Sequence, residues 1–393
     1  MGICNSVINI LSFSRRREST VCNITMHPCL RRGDKIAYKG NILIFSLLLL
    51  TACGDKLMLQ KADFTKLNGW HQDRHTEALV SFKKSCKKFK TMPEAMAIHT
   101  SGIGGKYGDW KRLCNRADNI DAKDAVVVRK FFENNFTPYL ASNWGKDSGI
   151  FTGYYEIELK GSRTRHGEYQ YPIYARPADI KDGIKYYSRE QIEGGALQGK
   201  GLEIAWANDP VRLFFLHVQG SGRIKLDDGS VMRVGYNGKN GYKYTSIGRY
   251  MIDKGYIEEK QISAQGIKKW LYESPHEIQT VLNQNDSYVF FRELSGDGPI
   301  GGQGVPLTPM RSLAVDKRFV PYGAPVWVDI ALNDEGLPGN SLKKLMVAQD
   351  TGAAIRGPVR GDVFFGYGER AEHMAGHQNN KGKYYILLPK DKS

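Results

Sequence analysis

The sequence predicts a mainly β fold with helices in its N-terminal part. Glycine is abundant, with 43 of 393 residues, and aromatic residues make up 11% of the chain. This composition favours short strands joined by turns. Apolar residues at helical spacing dominate the N-terminal part, whereas β-branched and aromatic segments dominate from Gly149 onward. At about 100–200 residues per domain, the length indicates two or three domains.

The charge of the chain limits the classes of partner. Its 56 basic and 41 acidic residues give a formal net charge of +15. A basic surface suits an anionic partner such as nucleic acid, an acidic lipid face or an acidic polymer. The spacings of RNP motifs and zinc fingers are missing from the sequence, so we expect no nucleic-acid partner.

Residues 1–52 are predicted to be a signal peptide, with Met26 as a candidate for the true start. The apolar run Ile42–Leu50 is too short to span a bilayer. Cys53 follows it after small residues, as in a bacterial lipobox, so we expect Cys53 to be the lipidated first residue of the mature protein. The alternative is an ordinary buried strand. The basic residues that precede the run are Arg31, Arg32, Lys35 and Lys39.

The mature chain is expected to be a periplasmic lipoprotein. Removing seven basic and two acidic residues lowers the formal charge from +15 to +10. By resemblance to bacterial lipoprotein sorting signals, Gly54 after the cysteine favours the periplasmic face of the outer membrane over retention in the inner membrane. The polar residues 53–75 are predicted to be a lipid-anchored tether.

Two further cysteines, Cys86 and Cys114, remain in the mature chain. In an oxidising compartment they are predicted to form a disulfide. Two buried free thiols are the alternative. The Cys and His spacings match no metal site, so no metal is expected.

The secondary structure is predicted from apolar periodicity. Strands are expected over Ile150–Leu159, over Val211–Gln219 and over Tyr288–Arg292, and a hairpin over Arg223–Leu226 and Val231–Tyr236. The predicted helices are Glu77–Phe89, Ala122–Asn134, Ile247–Lys254 and Ser263–Tyr272. Five short strands after residue 295 indicate a small closed β-barrel: Ala314–Val315, Pro325–Ile330, Leu345–Gln349, Asp362–Phe365 and Tyr384–Leu388.

One segment, Gln349–Gly366, has a pattern typical of general acid–base chemistry. Asp350 ends one predicted strand and Asp362 begins the next, so both carboxylates are expected near one face of the barrel. The apolar residues after Asp362 would raise the pKa of its carboxyl, as a general acid requires. The alternative is that both aspartates cap turns.

Three other segments offer groups for a polar ligand. In Phe151–Tyr155, one tyrosine can face a cleft while its neighbour packs inward. In His217–Arg223, glycines allow close approach of the backbone, and Gln219 and Ser221 offer hydrogen bonds. Ser221 lacks the strand–elbow–helix context of a serine hydrolase. The third segment is Gly304–Asp316, whose threonine and aspartate can cap loops or bind a polar ligand.

These four segments, in this order behind a lipobox, resemble the membrane-bound lytic murein transglycosylase A (MltA) family over roughly residues 70–388. The run Gln349–Gly366 is similar to the three-aspartate (3D) segment of that family. The resemblance implies a double-psi β-barrel catalytic domain, built from residues 76–157 and 291–393. It also implies a smaller β-rich domain inserted at 158–290, with a groove between the two.

The resemblance also implies the activity and the site. The enzyme would cleave the β-1,4 bond between N-acetylmuramic acid and N-acetylglucosamine and leave a 1,6-anhydro end. Asp362 would be the catalytic acid and base and Asp350 a supporting carboxylate, and no cofactor is expected. Glu369 is left without a role. The residues expected to bind glycan are Thr152, Tyr154, Gln219 and Ser221.

The partners that follow from the resemblance are peptidoglycan strands, the membrane through the lipid anchor, and complexes of cell-wall synthesis and hydrolysis. Two alternatives stay open. One is a hydrolytic muramidase that acts on the same substrate, and the other is a non-catalytic peptidoglycan-binding lipoprotein.

Overall fold

The computed structural model describes residues 54–181, 183–296, 298–332, 341–352 and 354–390. The predicted signal peptide and Cys53 lie outside these ranges, so the structure tests neither prediction. Among the described residues, no helix has the length and apolar character of a membrane span.

Three helices form the N-terminal layer: α1 (His75–Lys90), α2 (Tyr107–Asp118) and α3 (Ala125–Asn135). Helices α1 and α3 match two predicted helices to within three residues at each end, whereas α2 was not predicted. Its buried stripe is only four residues long and lies among charged residues, so the pattern is weak. A disulfide between Cys86 and Cys114 joins α1 to α2, with the two Cα atoms 5.4 Å apart.

Thirteen strands are present in the described ranges. They are β1 (Leu57–Lys61), β2 (Phe136–Asn143), β3 (Gly149–Ser162), β4 (Tyr171–Tyr174), β5 (Glu203–Ala207), β6 (Ser221–Leu226), β7 (Val231–Lys239), β8 (Val289–Glu293), β9 (Ser312–Val315), β10 (Pro325–Ala331), β11 (Ser341–Asp350), β12 (Arg360–Tyr367) and β13 (Asn379–Pro389). The predicted hairpin is confirmed as β6 and β7, and the five predicted C-terminal strands as β9 to β13.

Six of these strands close into a barrel. The order is β13–β10–β11–β9–β12–β3, and β3 pairs back to β13. The β9–β11 and β3–β12 pairs are parallel, and the other four pairs are antiparallel. Strand β10 is apolar on both of its faces, with Val326, its cross-strand partner Ile386 and Trp327 all fully buried.

Strand β3 connects the barrel to a second group of strands. Its first half pairs with β12 and β13, and its residues Ile157–Gly161 pair with β6. Strands β7 and β8 continue from β6, while β5 pairs with the end of β3 and β4 pairs with β5. One continuous strand therefore fixes the relative position of the two groups.

The remaining helices are α4 (Arg189–Gln191), α5 (Pro210–Gln219), α6 (Ile247–Asp253), α7 (Ala264–Glu273), α8 (Ile278–Leu282) and α9 (Glu369–His377). Helices α6 and α7 are the two predicted between residues 247 and 272. Lys268 on α7 forms an ion pair with Glu372 on α9 and donates to the Tyr155 hydroxyl at 3.2 Å. This largely buried pair joins the second group of strands and helices to the barrel.

The prediction of a tether over residues 53–75 is wrong for its described part. Strand β1 pairs antiparallel with β2 along its whole length. Trp70 is buried against Trp327 of the barrel, with ring centroids 5.2 Å apart. Asp73 pairs with the fully buried Arg311 at 2.7 Å. The polar composition of this segment did not indicate a strand, because a strand at the edge of a sheet needs few apolar residues.

The prediction of a strand over Val211–Gln219 is also wrong. The segment is helix α5, which begins after Asp209, whose side chain accepts the Arg212 N–H at 3.0 Å. Pro210 occupies the first turn and Gly220 ends the helix with a φ of 76°. Almost every residue of α5 is buried, so the apolar run carries no helical period. The Asp-Pro start and the glycine stop were the informative signals.

Candidate active site

Four residues in register form a row across adjacent barrel strands. Asp350 of β11 pairs with Ala314 of β9, which pairs with Asp362 of β12, which in turn pairs with Thr152 of β3. Paired residues on neighbouring strands project to the same face of a sheet. The structure therefore brings Asp350 and Asp362 to one face, on the two strands that flank Ala314 of β9.

Asp362 is 1% exposed and is held through one of its two oxygens. Oδ1 accepts a hydrogen bond from the Thr152 hydroxyl and forms an ion pair with the guanidinium of Arg360. Arg360 also donates to Thr152 Oγ1 at 2.8 Å, so the three side chains form a closed triangle. Oδ2 is buried and has no hydrogen-bond partner among the described residues. It is therefore the oxygen of Asp362 that the described protein groups leave unbonded.

Asp350 is surrounded by uncharged donors. Its Oδ1 accepts the N–H groups of Gly302 at 2.8 Å and Thr351 at 2.9 Å, and its Oδ2 accepts the Tyr154 hydroxyl at 2.9 Å. Burial raises the pKa of Asp350 to about 6, because desolvation of the charged form outweighs these hydrogen bonds, and the charge of Asp362 acts in the same direction.

Strand β11 is fixed against helix α1 beside Asp350. The side chain of Gln349 donates to the Ser81 carbonyl at 2.9 Å and to the Ser85 hydroxyl at 2.8 Å. Its Oε1 accepts the hydroxyls of Ser81 at 2.9 Å and Ser312 at 2.6 Å. These buried bonds position the end of β11, and so Asp350, through the N-terminal helical layer.

A cavity of about 200 Å³ opens beside this row. Tyr154, Gln219, Ser221 and Asp350 contribute to its lining, whereas Thr152 and Asp362 do not. Gln219 is 5% exposed, and its Oε1 has no partner among the described residues. A larger cavity, about 760 Å³, lies between α2 and the end of β13 and contains none of the predicted site residues. Buried polar atoms without partners favour the smaller cavity as the ligand site.

The sequence patterns did not identify Arg360 as a residue of this region. Arg360 lies two positions before Asp362 on one strand, and this spacing alone places both on the same face. Asp316 is a third buried aspartate, which pairs with Arg318 and accepts the Gly357 N–H at 2.8 Å. It thereby holds the connection between β11 and β12. Glu369, left without a role, is exposed at the start of α9.

Metal ligands are not clustered in the described part of the chain. No group of three or more His, Cys, Asp or Glu side chains there has a geometry that could hold a metal ion.

Comparison with known families gives two adjoining matches. The MltA specific insert domain matches residues 150–292, and the 3D domain matches residues 311–388. The second match contains Asp316, Asp350 and Asp362.

Comparison with individual proteins agrees with these matches. The chain is 38% identical over 268 residues to the membrane-bound lytic murein transglycosylase A of Escherichia coli (strain K12), which covers 67% of this chain and 72% of that protein. The crystal structure of MltA from Neisseria gonorrhoeae superposes with a TM-score of 0.75 at 34% identity, covering 86% of this chain and 94% of that one.

A third similar structure contains a ligand. The crystal structure of E. coli MltA with bound chitohexaose has a TM-score of 0.63 at 30% identity and covers 80% of this chain and 90% of that one. The predicted family is confirmed by these similarities, and the chain belongs to the membrane-bound lytic murein transglycosylase A family.

Proposed function

We propose that this protein is a lytic transglycosylase of peptidoglycan. It cleaves the β-1,4 bond between N-acetylmuramic acid and N-acetylglucosamine and leaves a 1,6-anhydromuramic acid end. The observation that carries the proposal is the buried aspartate row beside a cavity with hydrogen-bonding groups, in a chain 38% identical to a named lytic murein transglycosylase.

Asp362 acts first as the acid and then as the base. It gives a proton to the leaving glycosidic oxygen, and the resulting carboxylate takes a proton from the 6-hydroxyl of the muramic acid, which attacks the anomeric carbon. Hydrolytic glycosidases need a second carboxylate for water or for a covalent intermediate, whereas intramolecular attack needs neither. The buried Oδ2 of Asp362, which has no partner in the part of the chain that the structure describes, supports this role.

Asp350 supports the reaction without carrying the transferred proton. Its two oxygens already accept three hydrogen bonds, which leaves it poorly placed to exchange protons with a substrate. Thr152 holds Asp362, while Tyr154, Gln219 and Ser221 bind the glycan. The Oε1 of Gln219 supports a polar ligand, since an unpaired buried acceptor costs about 1–3 kcal/mol.

The architecture that fits this function has two domains with a groove between them. The catalytic domain is a double-psi β-barrel formed by residues 76–157 and 291–393, to which we add strand β1. The inserted domain covers residues 158–290. The closed six-strand ring and the passage of β3 between the two strand groups support this division.

The protein is anchored at the periplasmic face of the outer membrane through lipidated Cys53, and it takes part in complexes of cell-wall synthesis and hydrolysis. Radiolabelled palmitate should be incorporated into the wild type and not into Cys53→Ala, whose precursor should stay uncleaved. Normal processing of Cys53→Ala would contradict the anchor. The lipobox-like order of charge, apolar run and cysteine supports this localisation.

Mass spectrometry of the products released from purified sacculi tests the reaction. We expect muropeptides with 1,6-anhydro ends. Reducing ends would indicate a hydrolytic muramidase, and binding without any release would indicate a non-catalytic lipoprotein.

A further inference from the structure

Arg292 is a cation without a side-chain partner among the described residues, and it lies at the cavity of the proposed site. It lies on β8, is exposed, and lines the 200 Å³ cavity together with Tyr154, Gln219 and Ser221. Among the described residues that line this cavity, Arg292 is the only cation and Asp350 is the only carboxylate. Arg292 forms no ion pair or hydrogen bond with another described side chain.

The neighbouring arginines differ from Arg292 in this respect. Arg233 forms an ion pair with Glu156 at 2.9 Å, and Arg163 forms one with Glu293 at 3.3 Å. Arg223 lies over the ring of Tyr367, 4.0 Å from its centroid. Each of these three arginines interacts with another side chain of the protein. Arg292 has no such partner among the described residues, so its guanidinium is available to a ligand.

The strand register places no second side chain directly opposite Arg292. Its cross-strand partner on β7 is Gly235, whose missing side chain leaves room for Leu294, and both residues line the cavity. Asp350 does not take the place of a partner, because its oxygens accept the Tyr154 hydroxyl and two backbone N–H groups. The cavity therefore presents a guanidinium, suited to bind a carboxylate through two parallel hydrogen bonds.

We propose that Arg292 determines specificity by binding a carboxylate on the 3-O-lactyl arm of N-acetylmuramic acid. This inference rests on the proposed function, since it assigns a carboxylate of that substrate to the same cavity. In glycan without peptides the lactyl arm ends in its own carboxylate. In glycan with peptides the lactyl carboxyl is an amide, and the carboxylates belong to the peptide stem. Chitohexaose has neither group.

Dissociation constants measured by calorimetry for these three ligands test the proposal. The titrations use an Asp362→Asn background, so that no glycan is cleaved. Arg292→Gln should weaken binding of the carboxylate-bearing glycans on the order of tenfold and leave chitohexaose binding within about twofold. Arg292→Lys keeps the charge without the planar fork and should give an intermediate loss.

Arg163→Gln is the matched control. It removes the same charge just after the end of β3, at a residue paired with Glu293 and outside the cavity lining. It should bind all three ligands as the parent protein does. Loss confined to peptide-free glycan assigns the lactyl carboxylate, and loss confined to peptide-bearing glycan assigns the stem.

Three results would overturn the proposal: an equal loss for chitohexaose, an equal effect of Arg163→Gln, or no effect of Arg292→Gln on either anionic glycan. None of these three binding results depends on which reaction products the wild-type protein releases. Absence of 1,6-anhydro ends would instead contradict the proposed reaction, so the two failures are distinguishable.

Discussion

Asp350 and Asp362 lie in one row on the barrel and are both buried, yet they have different kinds of partner. Asp350 accepts three hydrogen bonds from uncharged donors, whereas Asp362 is held on one oxygen by Arg360 and Thr152. Burial alone therefore does not define a catalytic carboxylate. The two differ because Asp362 has a cation, Arg360, beside it and an oxygen, Oδ2, with no hydrogen-bond partner among the described residues.

The largest expected effect on stability comes from removing the charge beside Asp362. Arg360→Met should lower the free energy of unfolding by about 3–5 kcal/mol, because it leaves a buried carboxylate without its cation. Urea unfolding at pH 7 measures this change. The double variant Arg360→Met/Asp362→Asn should recover at least half of the loss. A double variant no more stable than the single one would show that the ion pair is not the cause.

A pH-dependent effect should distinguish Asp350. Its pKa is raised to about 6 from an ordinary 3.8, so the folded protein holds a proton that the unfolded chain releases. The contribution of Asp350 to the free energy of unfolding is therefore fully present below pH 4 and is lost as the pH rises through 6. Asp350→Asn should not show this loss. The free energy of unfolding of the variant, relative to that of the wild type, should therefore rise by about 3 kcal/mol between pH 4 and pH 7.

Urea unfolding of both proteins across this range measures the difference, and other titrating groups cancel because both proteins share them. Asp329→Asn, at a half-buried aspartate on β10, is the control and should follow the wild-type curve. Parallel curves for wild type and Asp350→Asn would contradict the environment assigned to Asp350.

The smallest effect is expected at the hydroxyl that joins the Asp362 triangle. Thr152→Val keeps the shape of the side chain but removes the donor to Asp362 and the acceptor for Arg360. We expect the rate of sacculus clearance to fall about tenfold, consistent with a loss of about 1–2 kcal/mol in positioning. Thr137→Val on β2 should clear sacculi at the wild-type rate. Equal rates for both variants would remove Thr152 from the site.

Much of the site could be predicted from local sequence. The carboxylates Asp350 and Asp362 flank a glycine-rich connection between two apolar strands, and that pattern needs no long-range information. The family and enzyme class that rested on this pattern are confirmed by the relatives. The hairpin of β6 and β7 was equally local, because its turn sequence is diagnostic.

Other features depend on contacts far apart in the chain. The row Asp350–Ala314–Asp362–Thr152 is set by strand register, which one sequence does not reveal. Strand β1 forms because β2 offers an edge, and its own residues are mostly polar. Helix α5 is buried on nearly all sides, so its apolar run predicts a strand, and the structure shows a helix instead.

The most direct test of the account is the initial rate at which 1,6-anhydro muropeptides are released from sacculi by three proteins. We compare the wild type, Asp362→Asn and Asp350→Asn, after circular dichroism has shown that all three are folded. Asp362→Asn should be slower by about 10⁴-fold or more, since one residue serves two proton transfers, each worth about 10²–10⁴-fold. Asp350→Asn should keep measurable activity. An inactive Asp350→Asn together with an active Asp362→Asn would contradict the division of roles between the two carboxylates.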